Sequence, residues 1–148
     1  TDTLSNIERL NFSDSSLALD LDGNAGITAK TLGAVFGKES VSNKTFAGIG
    51  LSLLDGGMSY EALMQLAINA ALGANATNHT AVVDLLYANV AGFAPATADE
   101  TYFVGLLDSG AHSVASIGIM AADMALNEVN IDLAGLSQRG LEYFFVTV

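Results

Sequence analysis

The chain has no cysteine and no tryptophan, one proline, and only five Lys and Arg among 148 residues. Without cysteine there is no disulfide, no thiolate metal ligand and no thiol nucleophile, and nothing in the chain depends on the redox state of its compartment. Basic residues are scarce in relative terms too: sixteen acids against five bases leave a formal net charge of −11. Such a field repels phosphate backbones and anionic lipid, which excludes nucleic acid as a partner. A transmembrane run is also missing. The longest uncharged stretch, residues 62–83, is interrupted by Gln65, Asn69, Asn75, Thr77, Asn78 and His79, groups that a bilayer would leave unsatisfied. Thr1-Asp2-Thr3-Leu4 carries neither the basic nor the apolar region of a signal peptide. With no initiator Met, the sequence reads as a piece of something larger.

What is present is apolar. Hydrophobic residues make up 51% and charged ones 14% of the chain, the reverse of the composition that keeps a chain disordered. A chain of this length suits one compact domain that buries roughly 68–70% of its unfolded surface.

The hydrophobic pattern predicts a β-hairpin first. Ile7, Leu10 and Phe12 alternate loosely; Leu17, Leu19 and Leu21 alternate strictly, with Ala18 and Asp20 on the opposite face. Ser13-Asp14-Ser15-Ser16 supplies the turn between them. Helical spacing follows. Thr28 is expected to cap a helix with Leu32, Val35 and Phe36 on one face, ending at Gly37. A second helix is expected from near Ser42 to Gly56-Gly57, and a third from Ser59 to Gly73. Residues 75–80 read as polar loop. The plan then recurs: a helix through Val83, Leu86, Tyr87 and Val90 to Gly92, another opened by a capping box at Thr97-Ala98-Asp99-Glu100 and closed by Gly110, and a third from Ser113 to about Asn127.

Leu53-Leu54-Asp55-Gly56-Gly57 matches Leu106-Leu107-Asp108-Ser109-Gly110 at an offset of 53, and Ser59 matches Ser113 at 54 and Gly37 matches Gly92 at 55. These offsets predict a duplicated three-helix unit of about 54 residues, packed as one helical domain. The expected organisation is a hairpin over residues 1–22, a helical domain over 23–130 built from repeats at 29–73 and 83–127, and a tail over 131–148. In the tail, Asp132 caps a short helix ending near Gly140. The aromatic and β-branched run 141–148 favours a strand whose simplest partner is the hairpin. The fold class is therefore mainly α, with a β-hairpin entrance and a β-strand exit.

The run Thr1-Asp2-Thr3-Leu4-Ser5-Asn6-Ile7-Glu8-Arg9-Leu10-Asn11-Phe12-Ser13-Asp14, with Leu17-Ala18-Leu19-Asp20 after it, resembles the segment that ends RTX (hemolysin-type calcium-binding) repeat blocks. Gly23-Asn24-Ala25-Gly26, Val35-Phe36-Gly37, Leu86-Tyr87-Ala88-Asn89-Val90-Ala91-Gly92-Phe93-Ala94-Pro95 and the Leu-Asp-x-Gly helix ends resemble the helical family called domain of unknown function 4214. Together these cover about residues 1–130. The glycine-rich nonapeptides of RTX repeats are absent here, and so is the Tyr-Trp pair usual in that helical family. The resemblance implies a secreted or surface-exposed protein of a Gram-negative bacterium, exported by type I secretion machinery. It also implies that Phe144, Phe145, Val146, Thr147 and Val148 form part of a C-terminal secretion tail. The corresponding function is a non-catalytic module that supports export, calcium-dependent folding or cell-surface association.

Chemistry is sparse. Asp20, Asp22 and Asn24 stand at alternate positions, the spacing with which a calcium loop of the EF-hand kind opens. The glycine falls at the seventh position rather than the sixth, and Thr31 replaces the bidentate acid at the twelfth, so calcium is an expectation resting on three side chains. His79 and His112 read as solvated loop residues, and no Gly-x-Ser-x-Gly elbow exists. Asp55 and Asp108 are expected at helix C-termini, against the dipole; they cap loop amides, pair with Lys44 or Arg139, or share a cation. Met58, Met64, Met120 and Met124 read as core or gap filler. A protein-binding face, for a surface protein or for self-association, is expected between the two repeats. Two other classes stay open: an adhesion or surface-layer module displaying an aromatic platform from Tyr60, Tyr87, Phe93 or Tyr102, and a hydrolase with carboxylates converging in a pocket.

Overall fold

The computed structural model describes residues 7–147, so Thr1–Asn6 of the RTX-like run and Val148 of the tail lie outside the described residues. Among the described residues the fold is mainly α: eight α-helices, a short hairpin before them and a single strand after them. The hairpin is β1 (Arg9–Asn11) and β2 (Ser16–Ala18). Then come α1 (Asn24–Phe36), α2 (Lys44–Asp55) and α3 (Tyr60–Leu72), followed by α4 (His79–Ala91), α5 (Thr97–Asp108) and α6 (Val114–Ala122). Two short helices, α7 (Ala125–Asn130) and α8 (Leu133–Arg139), lead to β3 (Leu141–Tyr143). The starts of α4, α5 and α6 follow those of α1, α2 and α3 by 55, 53 and 54 residues.

The helix ends follow their side chains. Ser59 Oγ accepts from the Ala62 amide at 3.1 Å, and Ser113 and Ser116 cap each other's backbone reciprocally, satisfying donors that a helix start leaves free. Asp132, at φ 53°, caps α8 through the Gly135 amide. Several expected starts move. The first helix begins at Asn24, so Thr28 is buried within it rather than capping it. Asn43, whose Oδ1 accepts from Thr45 and Phe46, caps α2 in place of Ser42. Asn78 caps α4 in the same way, which turns the expected loop at 75–80 into a helical turn and the start of α4. At α5, Ala96 stands at the cap position and Thr97 is already helical, so the capping box is not made. The sixth helix stops at Ala122, and Asn127 belongs to α7.

Helix α1 is the centre of the molecule. Its Ala25, Ala29 and Leu32 face a core shared with Val41, Ala47, Leu51, Leu136 and the sheet. Its Ala34 and Val35 face a second core with Met64, Ile68, Val82, Leu86 and Ile117. Small residues permit close approach, of α2 to α1 and of α6 to α3. A side chain at Gly50 would press on Thr28 Cγ2 at 2.7 Å, and one at Gly118 on Met64 Sδ at 2.7 Å. Corresponding helices of the triplets meet, α1 on α4 and α3 on α6, so the space between the repeats is filled core. The face expected there is not open.

The three strands form one antiparallel sheet in the order β1-β2-β3, so the exit strand does pair with the entrance hairpin. Its buried face is the reverse of the expected one: Ser16 and Ala18 point inward with Leu141 and Tyr143, while Leu17 is half-buried and Leu19 exposed. Small side chains on β2 let the larger ones of β3 fill the core, a distribution across strands that alternation within one strand does not reveal. Pairing ends at Tyr143, short of the expected strand over 141–148. There the Phe144 amide donates to the Lys44 carbonyl at 2.9 Å, and the tail crosses α2 over Gly48, where any side chain would collide with the Phe144 carbonyl.

Candidate functional site

The expected calcium loop lies between β2 and α1. Asp20 forms an ion pair with Arg9, and its second carboxylate oxygen faces the Ala25 amide at 3.4 Å. Asn24 donates through Nδ2 to Asp55 Oδ1 at 2.8 Å, and Asp22 is exposed. Arg9 also donates from Nη2 to Asp55 Oδ1 at 2.8 Å, so its guanidinium bridges Asp20 and Asp55. Burial alone lowers the Arg9 pKa, and the hydrogen bonds from the two carboxylates outweigh it and raise it. The structure thus brings Asp20, Asn24 and Asp55 around an arginine. No group of three or more His, Asp or Glu converges as a metal set among the described residues.

The repeated acids find their partners at helix starts. Antiparallel packing lays the end of α2 beside the start of α1, where Asp55 meets Asn24. The end of α5 lies likewise beside the start of α4, where Asp108 Oδ1 meets His79 Nδ1 at 2.6 Å. Each acid is at the wrong end of its own helix and at the favourable end of its neighbour. Neither expected base is used, since Lys44 pairs with Glu142 at 2.5 Å and Arg139 with Asp132 at 2.8 Å. His79 is accordingly a helix-start residue bound to an acid, and His112 Nδ1 lies 3.2 Å from Ser116 Oγ.

The aromatic residues divide. Phe93 is 64% and Tyr102 63% exposed, whereas Tyr60 and Tyr87 are half-buried. Tyr60 donates to Asp123 at 3.3 Å, and burial together with that charge pushes its phenol upward. Tyr87 donates to Asp99 Oδ2 at 2.9 Å, which raises its pKa as well. Phe93 packs edge-on against Tyr87 with ring centroids 5.8 Å apart.

Those two rings belong to the most site-like feature of the surface, a pair of apolar grooves. One, of about 260 Å³, lies within the first triplet and is lined by residues such as Leu32, Phe36, Phe46, Leu53, Leu63 and Leu66. The other, of about 290 Å³, lies within the second and is lined by Val83, Leu86, Tyr87, Phe93, Phe103, Ile117, Met120, Met124 and neighbours. They occupy corresponding positions: at the repeat offsets Thr28 corresponds to Val83, Thr31 to Leu86, Leu32 to Tyr87, Gly50 to Phe103, Leu63 to Ile117 and Leu66 to Met120. No carboxylate, imidazole or amine lines either groove. Met120 and Met124 are therefore groove walls, 39% and 48% exposed, and not core filler; Met64 alone of the four is fully buried. Helical periodicity marks these residues as apolar but does not say that the third wall of each groove is missing. The signal that does exist is Phe93 just past the Gly92 helix stop, where an ordinary loop is polar.

No protein-family model, curated protein or solved structure matches the chain.

Proposed function

We propose that the chain is a non-catalytic module of a secreted RTX-type protein, which supports export and folding and associates with another macromolecule at the cell surface. The observation that carries the association is the pair of carbon-lined grooves, each bordered by exposed large side chains such as Phe46, Leu66 and Phe93. Apolar surface of that kind marks interaction sites. Part of the charge distribution supports the same reading: Asp55, Asp108 and Asp123 are engaged with bases or with a helix start, while Asp132 and Glu142, paired with Arg139 and Lys44, line a polar cleft of about 380 Å³ together with Glu39.

Fusing the chain to an inert reporter and measuring its retention on Gram-negative cells tests this. Retention that falls when Phe93 and Leu66 are both changed to Ala is the expected result. A fusion that washes off, with calcium or without, overturns the association. For export, the expected result is that a parent protein truncated after Tyr143 stays inside the cell. Calcium is proposed for the Asp20, Asp22 and Asn24 loop. Calorimetric titration of chelator-treated protein against Asp22→Ala tests it, and identical heatless traces remove it.

The exposed Phe93 and Tyr102 favour a second reading, an adhesion or surface-layer module. A glycan is the weaker ligand for it, because orienting sugar hydroxyls needs placed polar groups that the grooves lack.

A further inference from the structure

We infer that the groove of the second triplet is a docking site for a basic amphipathic helix of a partner protein; this rests on the association reading and specifies its partner. The floor is rigid, formed by Val83, Leu86 and Ile117, each no more than 5% exposed. The walls are adaptable, since Met120 and Met124 are unbranched side chains that re-form around whatever enters. At about 290 Å³ the volume is at the lower end of small-ligand pockets, and it suits a few anchoring side chains spaced along one face of a helix.

Charge decides what kind of helix. Residues 45–138 contain nine acids and no Lys or Arg, so every helix that forms this groove lacks a base. Asp84 precedes Tyr87 by three residues and Glu100 precedes Phe103 by three, which places each acid one helical turn from a lining ring. Asp99 accepts from the Tyr87 hydroxyl at the rim. From elsewhere, Lys30 of α1 reaches Asp123 at 2.9 Å and Glu128 at 3.7 Å, one positive charge against two negative, and Lys38 lies with Glu39 in a crevice that shares Val90 and Ala91 with the groove, one charge against one. An apolar floor inside a border where acids outnumber bases is complementary to a helix with an apolar stripe flanked by Lys and Arg. A second copy of this chain fits poorly, since each carries a net charge of −11. The groove of the first triplet, although equivalent in position, has Lys30 and Lys44 on its own helices and buried Thr28 and Thr31 hydroxyls without partners along its wall. It serves as the internal control.

The probe is a labelled peptide of about five helical turns with leucines at helical spacing and lysines elsewhere. Its twin carries glutamates for lysines, and a scrambled version keeps the composition but loses the stripe. Binding is read by fluorescence anisotropy on the full chain. The Leu/Lys peptide binds at least ~10-fold more tightly than either comparison peptide, and raising the salt weakens it. Phe93→Ala weakens it about tenfold, the scale of an anchoring contact, whereas Leu66→Ala in the other groove leaves it unchanged. Phe93 is largely exposed, so its replacement leaves the melting curve in place; Asp84→Asn with Glu100→Gln, two surface changes, gives a separate loss of several fold. Equal binding of the Lys and Glu peptides, no binding of either, or a loss with Leu66→Ala but not Phe93→Ala overturns the inference. So does a dimer in sedimentation that Phe93→Ala dissolves, since the occupant is then a second copy. If the peptide fails while the reporter fusion still stays on cells, only this inference falls; if retention fails as well, the association reading falls with it.

Discussion

Asp55 and Asp108 illustrate how a residue's neighbour in space can reverse its electrostatic meaning. On their own helices both stand at the negative end of the dipole, and the antiparallel partner brings a positive end beside them. Both pairs are exposed, so they orient helix ends more than they stabilise the fold. Tyr60 is different, being half-buried beside Asp123. Its phenol is raised by burial first and by the Asp123 charge second. Below the ordinary phenol pKa both folded and unfolded states hold the proton, and the contribution is fully present. As pH rises past about 10, the unfolded chain releases its proton while the native one retains it, so stability falls through that window. Ultraviolet titration is expected to show Tyr60 ionising last of the tyrosines, behind Tyr87, and Tyr60→Phe to flatten the alkaline loss; a titration with all four tyrosines alike counts against this. At Gly48, Ala strikes the Phe144 carbonyl. Overpacking costs about 1–3 kcal/mol and improved helix propensity returns up to about 1, so a net loss is expected in urea melts, with faster amide exchange at Phe144.

At the scale of elements, caps and stops carry most of the legible information. Ser59, Ser113 and Asp132 were readable as caps because a short oxygen-bearing side chain before an apolar period has one good use. Asn43 and Asn78 do the same work but stand among other polar residues, so the periodicity alone shifts those boundaries. Ser113→Ala is expected to cost about 0.5–2 kcal/mol, since it removes one arm of a reciprocal cap, whereas Thr97→Ala leaves α5 nearly unaffected because Ala96 is the cap position. Comparing the midpoints of the two variants in urea checks the assignment. A larger loss at Thr97 would place the start of α5 one residue later. The sheet carries the opposite lesson. Three strands of three residues hold too little pattern to orient themselves, and Leu17 of β2 and Leu19 after it turn outward because Leu141 and Tyr143 already fill the space beneath.

For the whole molecule, α1 belongs to both cores, and α3 packs on α6 across the junction of the triplets. The two repeats therefore do not constitute two folding units. Thermal unfolding is expected as one transition whose calorimetric and van't Hoff enthalpies agree. Met64, fully buried at the junction, offers the sharpest test: Met64→Ala is expected to lower stability by about 2–5 kcal/mol while the transition stays single. A second transition would mean that the triplets melt separately. The shared core also explains why binding surface appears within each triplet. Burying the faces between repeats leaves the three-helix crevices on the outer sides uncovered.

The chain's order of apolar residues, oxygen-bearing caps and glycine stops was enough by itself to determine a mainly α molecule, its duplicated helix plan and the return of the last strand to the hairpin. Those are local preferences, or pairings with a single available partner. Tertiary structure alone decided which apolar side chains are core and which are groove, which face of β2 is buried, and that Arg9 stands between Asp20 and Asp55. Each of these depends on what a distant segment places opposite a residue, and a side chain's own hydrophobicity or charge does not encode the identity of that neighbour.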